Sequence, residues 1–420
     1  MRLNKYFLAT TIFVVLIILN GCGGGSSPNT PNIPTSQLTN GPTLPVVTGD
    51  NVMKVTVNGT LCSSDVNEEY VNKPCVTVTV CDTTGNNCDT VDDVLLDTGS
   101  FGFRVFKSAL TNSFSHLAAV TAGGNPVAEC TQYGDNSIDW GPIKLAGVIL
   151  GNEPVVSVPI EVMGTTLPIP GSCHTSGTTV DTDPVNTGYK GILGVGLFAQ
   201  DCGSSCVTAS NNGVYYECPG EINCVSTALP LSNQVTNPIA LLPQDNNGAI
   251  LELPSVKLGG LLSVNGYFVL GIGTRSNNTP TGVTAYSADK YGEFSTSFSS
   301  VTYTSFLDSG TNALLFPGST ENGLPDCSGD YSSFFCPSST VTLSAINTAS
   351  SGSSTSRINF QIGNTITLYN TVNYVFSELG GSSTSAEGFD WGLPFFMGRN
   401  VYVGIESTSS TLGTGPYWAY

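Results

Sequence analysis

Two six-residue stretches, Leu95-Leu96-Asp97-Thr98-Gly99-Ser100 and Phe306-Leu307-Asp308-Ser309-Gly310-Thr311, decide the interpretation of this sequence. Both contain two apolar residues, an Asp, a hydroxyl residue, a Gly and a second hydroxyl residue. The Asp-(Ser/Thr)-Gly tripeptide alone is weak evidence in a chain rich in Ser, Thr and Gly. The matching flanks make two independent chance occurrences improbable, so we interpret the pair as an internal repeat.

A second similarity supports this repeat. Ile192-Leu193-Gly194 follows Asp97 at about the same distance as Phe396-Met397-Gly398 follows Asp308. The repeat therefore predicts two similar lobes, each of which contributes one Asp and one apolar-apolar-Gly segment.

The composition indicates an all-β fold. The chain has 420 residues, with 48 Gly and 24 Pro, and charged residues make up only 10%. Helices draw on Ala, Leu, Glu and Lys, so this composition favours strands and turns. Apolar and alternating runs predict strands at residues 76–80, 91–96, 143–150, 155–160, 264–272 and 365–374.

The charge excludes one class of partner. There are 13 Lys and Arg against 31 Asp and Glu, a formal net charge of −18. Binding of nucleic acid through a basic face is therefore not expected, since phosphates are bound by Lys and Arg.

The N-terminus carries the features of an export signal. Arg2 and Lys5 precede an apolar run over residues 6–19, which is too short for a good membrane span. Leu19-Asn20-Gly21-Cys22 resembles the lipobox of bacterial lipoproteins, which implies cleavage before Cys22 and a lipid anchor on its thiol. Because Gly23 rather than Asp follows, the resemblance implies the outer membrane. The alternative is an ordinary secretory signal with an incidental Cys.

The cysteine count agrees with export. Removing Cys22 from the 13 cysteines leaves an even number, which an oxidising compartment would pair. No CxxC occurs and only His116 and His174 are available, so no metal site is expected. Spacing cannot fix connectivity, and Cys202 and Cys206 could pair with each other or with Cys218 and Cys224. The favoured local pairs are Cys81–Cys88, Cys218–Cys224 and Cys327–Cys336, and the pairs Cys62–Cys75 and Cys130–Cys173 would use the remainder.

At the repeated motifs the chain resembles the pepsin-like aspartic peptidases. That resemblance implies a two-lobed all-β fold in which Asp97 and Asp308 form a catalytic dyad without a metal or cofactor. It also implies that Thr98 and Ser309 lock the two loops together. Ser100 and Thr311 would hydrogen bond the outer carboxylate oxygens, and Gly99 and Gly310 would allow close approach of the backbone. Tyr133, followed by Gly134, is the candidate for the tyrosine of a flap over the cleft; the alternative is an ordinary core or surface tyrosine.

A closer resemblance covers nearly the whole mature chain. The sequence is similar to the bacterial family catalogued as domain of unknown function 3443, whose name assigns no activity. The implied organisation is a signal peptide at 1–22, a flexible tether at 23–50, an N-terminal lobe with a Cys-rich insertion at 51–230 and a C-terminal lobe at 231–420. The shared motifs are Trp140-Gly141-Pro142, Gly191-Ile192-Leu193-Gly194-Val195-Gly196, Asp245-Asn246-Asn247-Gly248, Gly271-Ile272-Gly273-Thr274, Asp390-Trp391-Gly392-Leu393-Pro394-Phe395-Phe396 and Gly415-Pro416-Tyr417-Trp418-Ala419-Tyr420.

Two departures from the pepsin pattern bear on activity. Phe101-Gly102-Phe103-Arg104 follows the first motif, and Arg399 follows Gly398 where pepsins commonly carry Asp. The predicted function is an exported, membrane-anchored peptidase that hydrolyses peptide bonds of a polypeptide substrate. The alternatives are an inactive binding or inhibitor module that takes a protein ligand, and a surface-tethered structural protein.

Overall fold

The computed structural model describes residues 43–62, 70–318, 323–383 and 388–420. Cys22, the signal peptide and residues 23–42 of the tether predicted at 23–50 lie outside these residues. Strands dominate the described chain, which confirms the predicted all-β class. No helix within the described ranges is long and apolar enough to cross a membrane.

The larger sheet system joins strands from both ends of the chain. Its strands are β1 (Val52–Val57), β2 (Pro74–Cys81), β3 (Asp89–Asp97), β4 (Phe101–Phe106), β5 (Ala118–Ala119), β6 (Thr121–Ala122), β7 (Asn125–Gln132), β8 (Ser137–Leu150), β9 (Val156–Met163), β10 (Thr179–Val180), β11 (Gly191–Val195), β12 (Tyr215–Glu217), β13 (Val225–Ser226), β14 (Gly248–Glu252), β15 (Val264–Leu270), β16 (Ala285–Ser287), β24 (Asn400–Gly404) and β27 (Tyr417–Ala419).

A second sheet contains seven described strands in the order β21-β20-β17-β18-β23-β19-β22. They are β17 (Phe294–Phe298), β18 (Val301–Leu307), β19 (Leu314–Pro317), β20 (Val341–Thr348), β21 (Thr355–Ile362), β22 (Gly380–Ser383) and β23 (Phe389–Trp391). A small hairpin pairs β25 (Ser409–Ser410) with β26 (Gly413–Thr414). The second sheet thus lies wholly within the predicted C-terminal lobe.

Helices are short throughout the described residues. The α-helices are Pro184–Thr187, Ser204–Thr208, Thr365–Tyr369 and Leu393–Phe396. The 3-10 turns are Lys107–Ala109, Phe114–His116, Pro219–Glu221, Leu231–Asn233, Pro238–Leu241, Ser276–Asn278 and Gly329–Tyr331.

Most of the predicted strands are confirmed, and one is wrong. The segments at 76–80, 91–96, 143–150, 155–160 and 264–272 all correspond to strands. The strand predicted at 365–374 is instead a helix over Thr365–Tyr369. The Asn364 side chain caps it by accepting a hydrogen bond of 3.0 Å from the Thr367 backbone N–H, and Thr365 and Leu368, one turn apart, are buried.

The two halves share one strand arrangement. In the first half, β11 runs parallel to β3 and antiparallel to β4. In the second half, β23 runs parallel to β18 and antiparallel to β19. In each half, one strand therefore lies between the two strands that flank the Asp-containing loop and pairs with both. This shared arrangement confirms the predicted internal repeat.

The register corrects the second apolar-apolar-Gly segment. In the first half, Leu193 lies opposite Leu96 and Gly194 opposite Asp97. In the second half, Trp391 lies opposite Leu307, so Asp390-Trp391-Gly392 occupies this position. The predicted segment Phe396-Met397-Gly398 instead ends a short helix, Leu393–Phe396, and turns into β24.

Close packing explains why a Gly is needed at this point. A Cβ added to Gly194 would lie 2.7 Å from the Phe101 backbone N, and one added to Gly392 would lie 2.0 Å from the Ala313 backbone O. Both distances are shorter than van der Waals contact allows, so the crossing strand must carry Gly there. The nearest atom to a Cβ on Gly398 would be 3.2 Å away, and its φ of 78° reflects a turn instead.

Six disulfides join the described cysteines, and they include the three local pairs and the two remainder pairs of the prediction. Cys202 pairs with Cys206, and the cross-pairing of these residues with Cys218 and Cys224 does not occur. The remaining bonds are Cys62–Cys75, Cys81–Cys88, Cys130–Cys173 and Cys327–Cys336. Cys62, Cys75 and Asp93 lie close together, but the disulfide leaves neither sulfur available as a thiolate ligand.

Candidate active site

The two Asp residues stand where their strands end. β3 ends at Asp97 and β18 ends one residue before Asp308, so each carboxyl group begins a tight loop. The loops meet at a cleft of about 450 Å³, which Asp97 and Asp308 both line. The strand arrangement therefore brings together two Asp residues that are far apart in the sequence.

Hydroxyl groups link the two loops reciprocally. Thr98 Oγ1 donates to the Leu307 carbonyl at 3.0 Å and accepts from the Ser309 backbone N–H at 2.9 Å. Ser309 Oγ donates to the Leu96 carbonyl at 2.7 Å and accepts from the Thr98 backbone N–H at 3.1 Å. All four bonds are buried, so they fix one loop relative to the other.

Each carboxylate is held within its own loop. Asp97 accepts from the Gly99 backbone N–H at 2.8 Å and from Ser100 Oγ at 2.5 Å. Asp308 accepts from the Gly310 backbone N–H at 2.7 Å and from Thr311 Oγ1 at 2.8 Å. These bonds orient the carboxylates before any ligand arrives.

The glycines let the carboxylates approach across the loops. A Cβ on Gly99 would lie 2.5 Å from Asp308 Cγ, and one on Gly310 would lie 2.7 Å from Asp97 Oδ1. Each carboxylate therefore packs directly on the backbone of the opposite loop, and no larger residue fits between them.

The electrostatics of the pair favour one shared proton. Burial, then the charge of Asp308 and a hydrogen bond with it, raise the pKa of Asp97 to about 7. The hydrogen bonds from Ser100 and Gly99 oppose this rise. Two neighbouring carboxyl groups of which one keeps its proton near neutral pH can act as a base and an acid in the same step.

Tyr133 lies at the turn of a hairpin beside the cleft. β7 and β8 pair antiparallel, and the Tyr133 backbone N–H donates to the Ser137 carbonyl at 3.0 Å. Tyr133 and Gly134 both line the cleft. The Tyr133 hydroxyl donates to Asp139 Oδ2 at 2.7 Å. The position is compatible with a flap, and that role for Tyr133 stays a prediction.

A buried charge network borders the same cleft, and the motifs did not predict it. Arg104 is 1% exposed and contacts Glu129 Oε1 at 2.8 Å, Glu161 Oε2 at 3.2 Å and Asp201 Oδ2 at 3.2 Å. Asp201 also accepts a short hydrogen bond from the Tyr215 hydroxyl. The unusual Arg after the first motif was the only sequence signal, and its acidic partners come from three separated segments.

Ionising all three carboxyl groups around one guanidinium group would cost a large electrostatic free energy. Burial alone would raise the pKa of Glu129, but the charge of Arg104 together with hydrogen bonds from Asp201, Glu161 and Arg104 lowers it. Burial and the charge of Glu129 raise the pKa values of Glu161 and Asp201 well above the ordinary carboxyl range. The network therefore holds Arg104 and Glu129 as its ion pair and keeps protons on the other acids.

A third carboxyl group, that of Asp390, also lines the cleft next to the dyad. It is 8% exposed, and its Oδ1 has no hydrogen-bond partner. In the sequence, Asp390 is recognisable only as part of a motif shared with the family, and no role is predicted for it. The register with Phe306, which only the structure supplies, identifies its position.

The fold and the paired loops define this chain as a protein of the aspartic-peptidase type in architecture. The chain belongs to the family described as "Protein of unknown function (DUF3443)", which it matches over residues 47–420. Among solved structures, the aspartic proteinase from Irpex lacteus is similar at 15% identity and a TM-score of 0.46, over 88% of this chain and 96% of that chain. No curated protein matches the sequence.

Proposed function

We propose that the protein is an aspartic-type peptidase that hydrolyses peptide bonds with a water activated between Asp97 and Asp308. The main observation behind the proposal is that hydrogen bonds hold both carboxylates in place. Thr98 and Ser309 also link the two Asp-containing loops through four hydrogen bonds. A protein that used this surface only for binding would not need reciprocal fixation of two acids.

The chemistry follows from the shared proton. The ionised carboxylate takes a proton from water as the water attacks the scissile carbonyl carbon, while the protonated carboxyl group donates to the carbonyl oxygen. Collapse of the tetrahedral intermediate breaks the C–N bond as the carboxyl group that took the water proton gives it to the amine, and the other carboxylate regains its proton from a hydroxyl of the intermediate. The raised pKa of Asp97 supports it as the proton holder below about pH 7.

The test is cleavage of an unfolded protein from acid to neutral pH. We expect the parent to cut and both Asp97→Asn and Asp308→Asn to lose cutting, with Asp330→Asn, an exposed Asp of the second half, as the matched control. Cutting that survives both substitutions overturns the dyad. If the parent cuts nothing, an inactive binding or inhibitor module becomes the leading interpretation.

We further propose export and membrane attachment through a lipid on Cys22. The support is the sequence Leu19-Asn20-Gly21-Cys22 after an apolar run, together with the six disulfides, which are typical of an oxidising compartment. Fractionation of a bacterial host tests this. The parent should sediment with outer membranes and Cys22→Ala should not; equal sedimentation of both rejects the anchor.

A further inference from the structure

Asp390 occupies a position that is apolar in the other half of the molecule. β23 places Asp390 opposite Phe306, as β11 places Ile192 opposite Leu95. Ile192 is completely buried in an apolar cluster. The same place in the repeat thus carries an aliphatic side chain in one half and a carboxyl group in the other.

The surroundings of Asp390 favour its neutral, protonated form. Its strand neighbours in register are Phe306 and Leu315, both apolar. Burial, and next the charge of Asp308, raise the pKa of Asp390 well above the ordinary carboxyl range, while a hydrogen bond with Thr311 opposes the rise. No ion pair to Asp390 occurs within the described part of the chain. A buried polar atom without a partner destabilises the folded state.

The described lining of the cleft carries more acidic than basic residues. Of the described residues that line it, the acids are Asp97, Asp201, Asp308 and Asp390, and the single basic residue is Arg104. Arg104 is already bound to three carboxyl groups. A cation bound in the cleft would let these acids release their protons and form ion pairs, and the chain has a net charge of −18, so the cleft favours a cationic ligand.

We propose that Asp390 is a specificity-determining residue that binds the basic side chain, Lys or Arg, of a substrate residue next to the scissile bond. Phe306 and Leu315 provide apolar walls for the methylene stem, and the Asp390 carboxylate meets the charged end. The bound cation supplies a partner for Asp390 Oδ1 and stabilises the ionised form of this carboxyl group. This inference rests on the proposed peptidase function, because it assigns a substrate class to the same cleft.

The test compares peptides that differ in one charge. Peptides with Lys, norleucine or Gln at each position flanking the scissile bond are cleaved from pH 4 to 8. Norleucine keeps the stem of Lys and lacks its ammonium group. At the position that contacts Asp390 we expect kcat/KM for Lys to exceed that for norleucine about tenfold or more, as for a hydrogen bond to a charged group.

Three variants make the comparison specific. Asp390→Asn keeps the shape and should reduce the Lys-to-norleucine ratio to near one. Asp390→Ile, which copies Ile192, should invert it. Asp330→Asn on the surface should leave it unchanged. Because each ratio is taken within one variant, a general loss of rate does not disturb it. A parent with no preference for Lys, a preference for Gln, or a Lys preference that survives Asp390→Asn overturns the proposal.

Failure of the peptidase function is separable from failure of this subsite. The same Lys and norleucine peptides can carry a hydroxyethylene group in place of the scissile amide, so that they bind without being cut. Tighter calorimetric binding of the Lys analogue that disappears in Asp390→Asn would support the subsite even in a protein that cleaves nothing. Equal binding of the two analogues, or no binding of either, would reject it.

Discussion

Replacing Asp97 with Asn should make the protein less sensitive to rising pH. The pKa of Asp97 rises from an ordinary 3.8 to about 7, chiefly through burial and then through the charge of Asp308. A carboxyl group with a raised pKa holds its proton more tightly in the folded state. Its contribution to stability is therefore complete below about pH 4 and is lost as the pH rises through about 7.

The magnitude follows from the size of the shift. About three pKa units at ~1.4 kcal/mol each give about 4 kcal/mol between pH 4 and 8. The parent should lose about this much more free energy of unfolding over that range than Asp97→Asn does. Asn has one acceptor oxygen in place of two, so it keeps only one of the hydrogen bonds that Gly99 and Ser100 donate to Asp97; that loss is nearly independent of pH and does not change the slope.

Urea denaturation with the disulfides intact, followed by tryptophan fluorescence at each pH, measures this difference. Asp330→Asn, at an exposed position, controls for the loss of one acid. Parallel curves for the parent and Asp97→Asn would refute the argument, because they would mean that Asp97 titrates alike in the folded and unfolded chains.

Three further substitutions probe the site by different measurements. Gly99→Ala places a methyl group 2.5 Å from Asp308 Cγ and should abolish cleavage of an unfolded protein while circular dichroism shows a folded chain; normal cleavage would contradict the close approach. Ser309→Ala removes two cross-loop bonds, one of them to the Thr98 N–H, and should lower the urea-derived free energy of unfolding by about 1–3 kcal/mol; no loss would mean the loops do not depend on it. Arg104→Met leaves buried acids without their cation and should cost about 3–5 kcal/mol at pH 8 and less at pH 4; an equal cost at both pH values would contradict the network.

The sequence predicted the parts of the site that depend on local chemistry. Asp97 and Asp308 were recognisable because each loop requires a Gly and two hydroxyl residues next to the carboxylate. These requirements produce a short sequence motif around each Asp. The local disulfides were predictable for a similar reason, since closely spaced cysteines have few other partners.

The sequence could not predict features that depend on register. Asp390-Trp391-Gly392 escaped notice as the second crossing strand because a charged residue interrupts the expected apolar pair. The helix at Thr365–Tyr369 was mistaken for a strand because Thr and Ile favour strands, whereas the Asn364 cap decided the local structure. Arg104 could not be paired with its acids, since they come from distant segments.

The distribution of the destabilising acids argues that the cleft has a function. Burial raises the pKa values of Asp97, Asp201, Asp390 and Glu161, and the first three line the cleft. Each such group costs stability as the pH rises, because the folded state opposes its ionisation. The repeat shows that the fold does not require this cost, since Ile192 fills the position equivalent to Asp390 with an apolar side chain. An aliphatic residue would fit at the position of Asp390, yet the protein has a buried carboxyl group there, beside a second acid. Ligand binding explains this carboxyl group better than packing does.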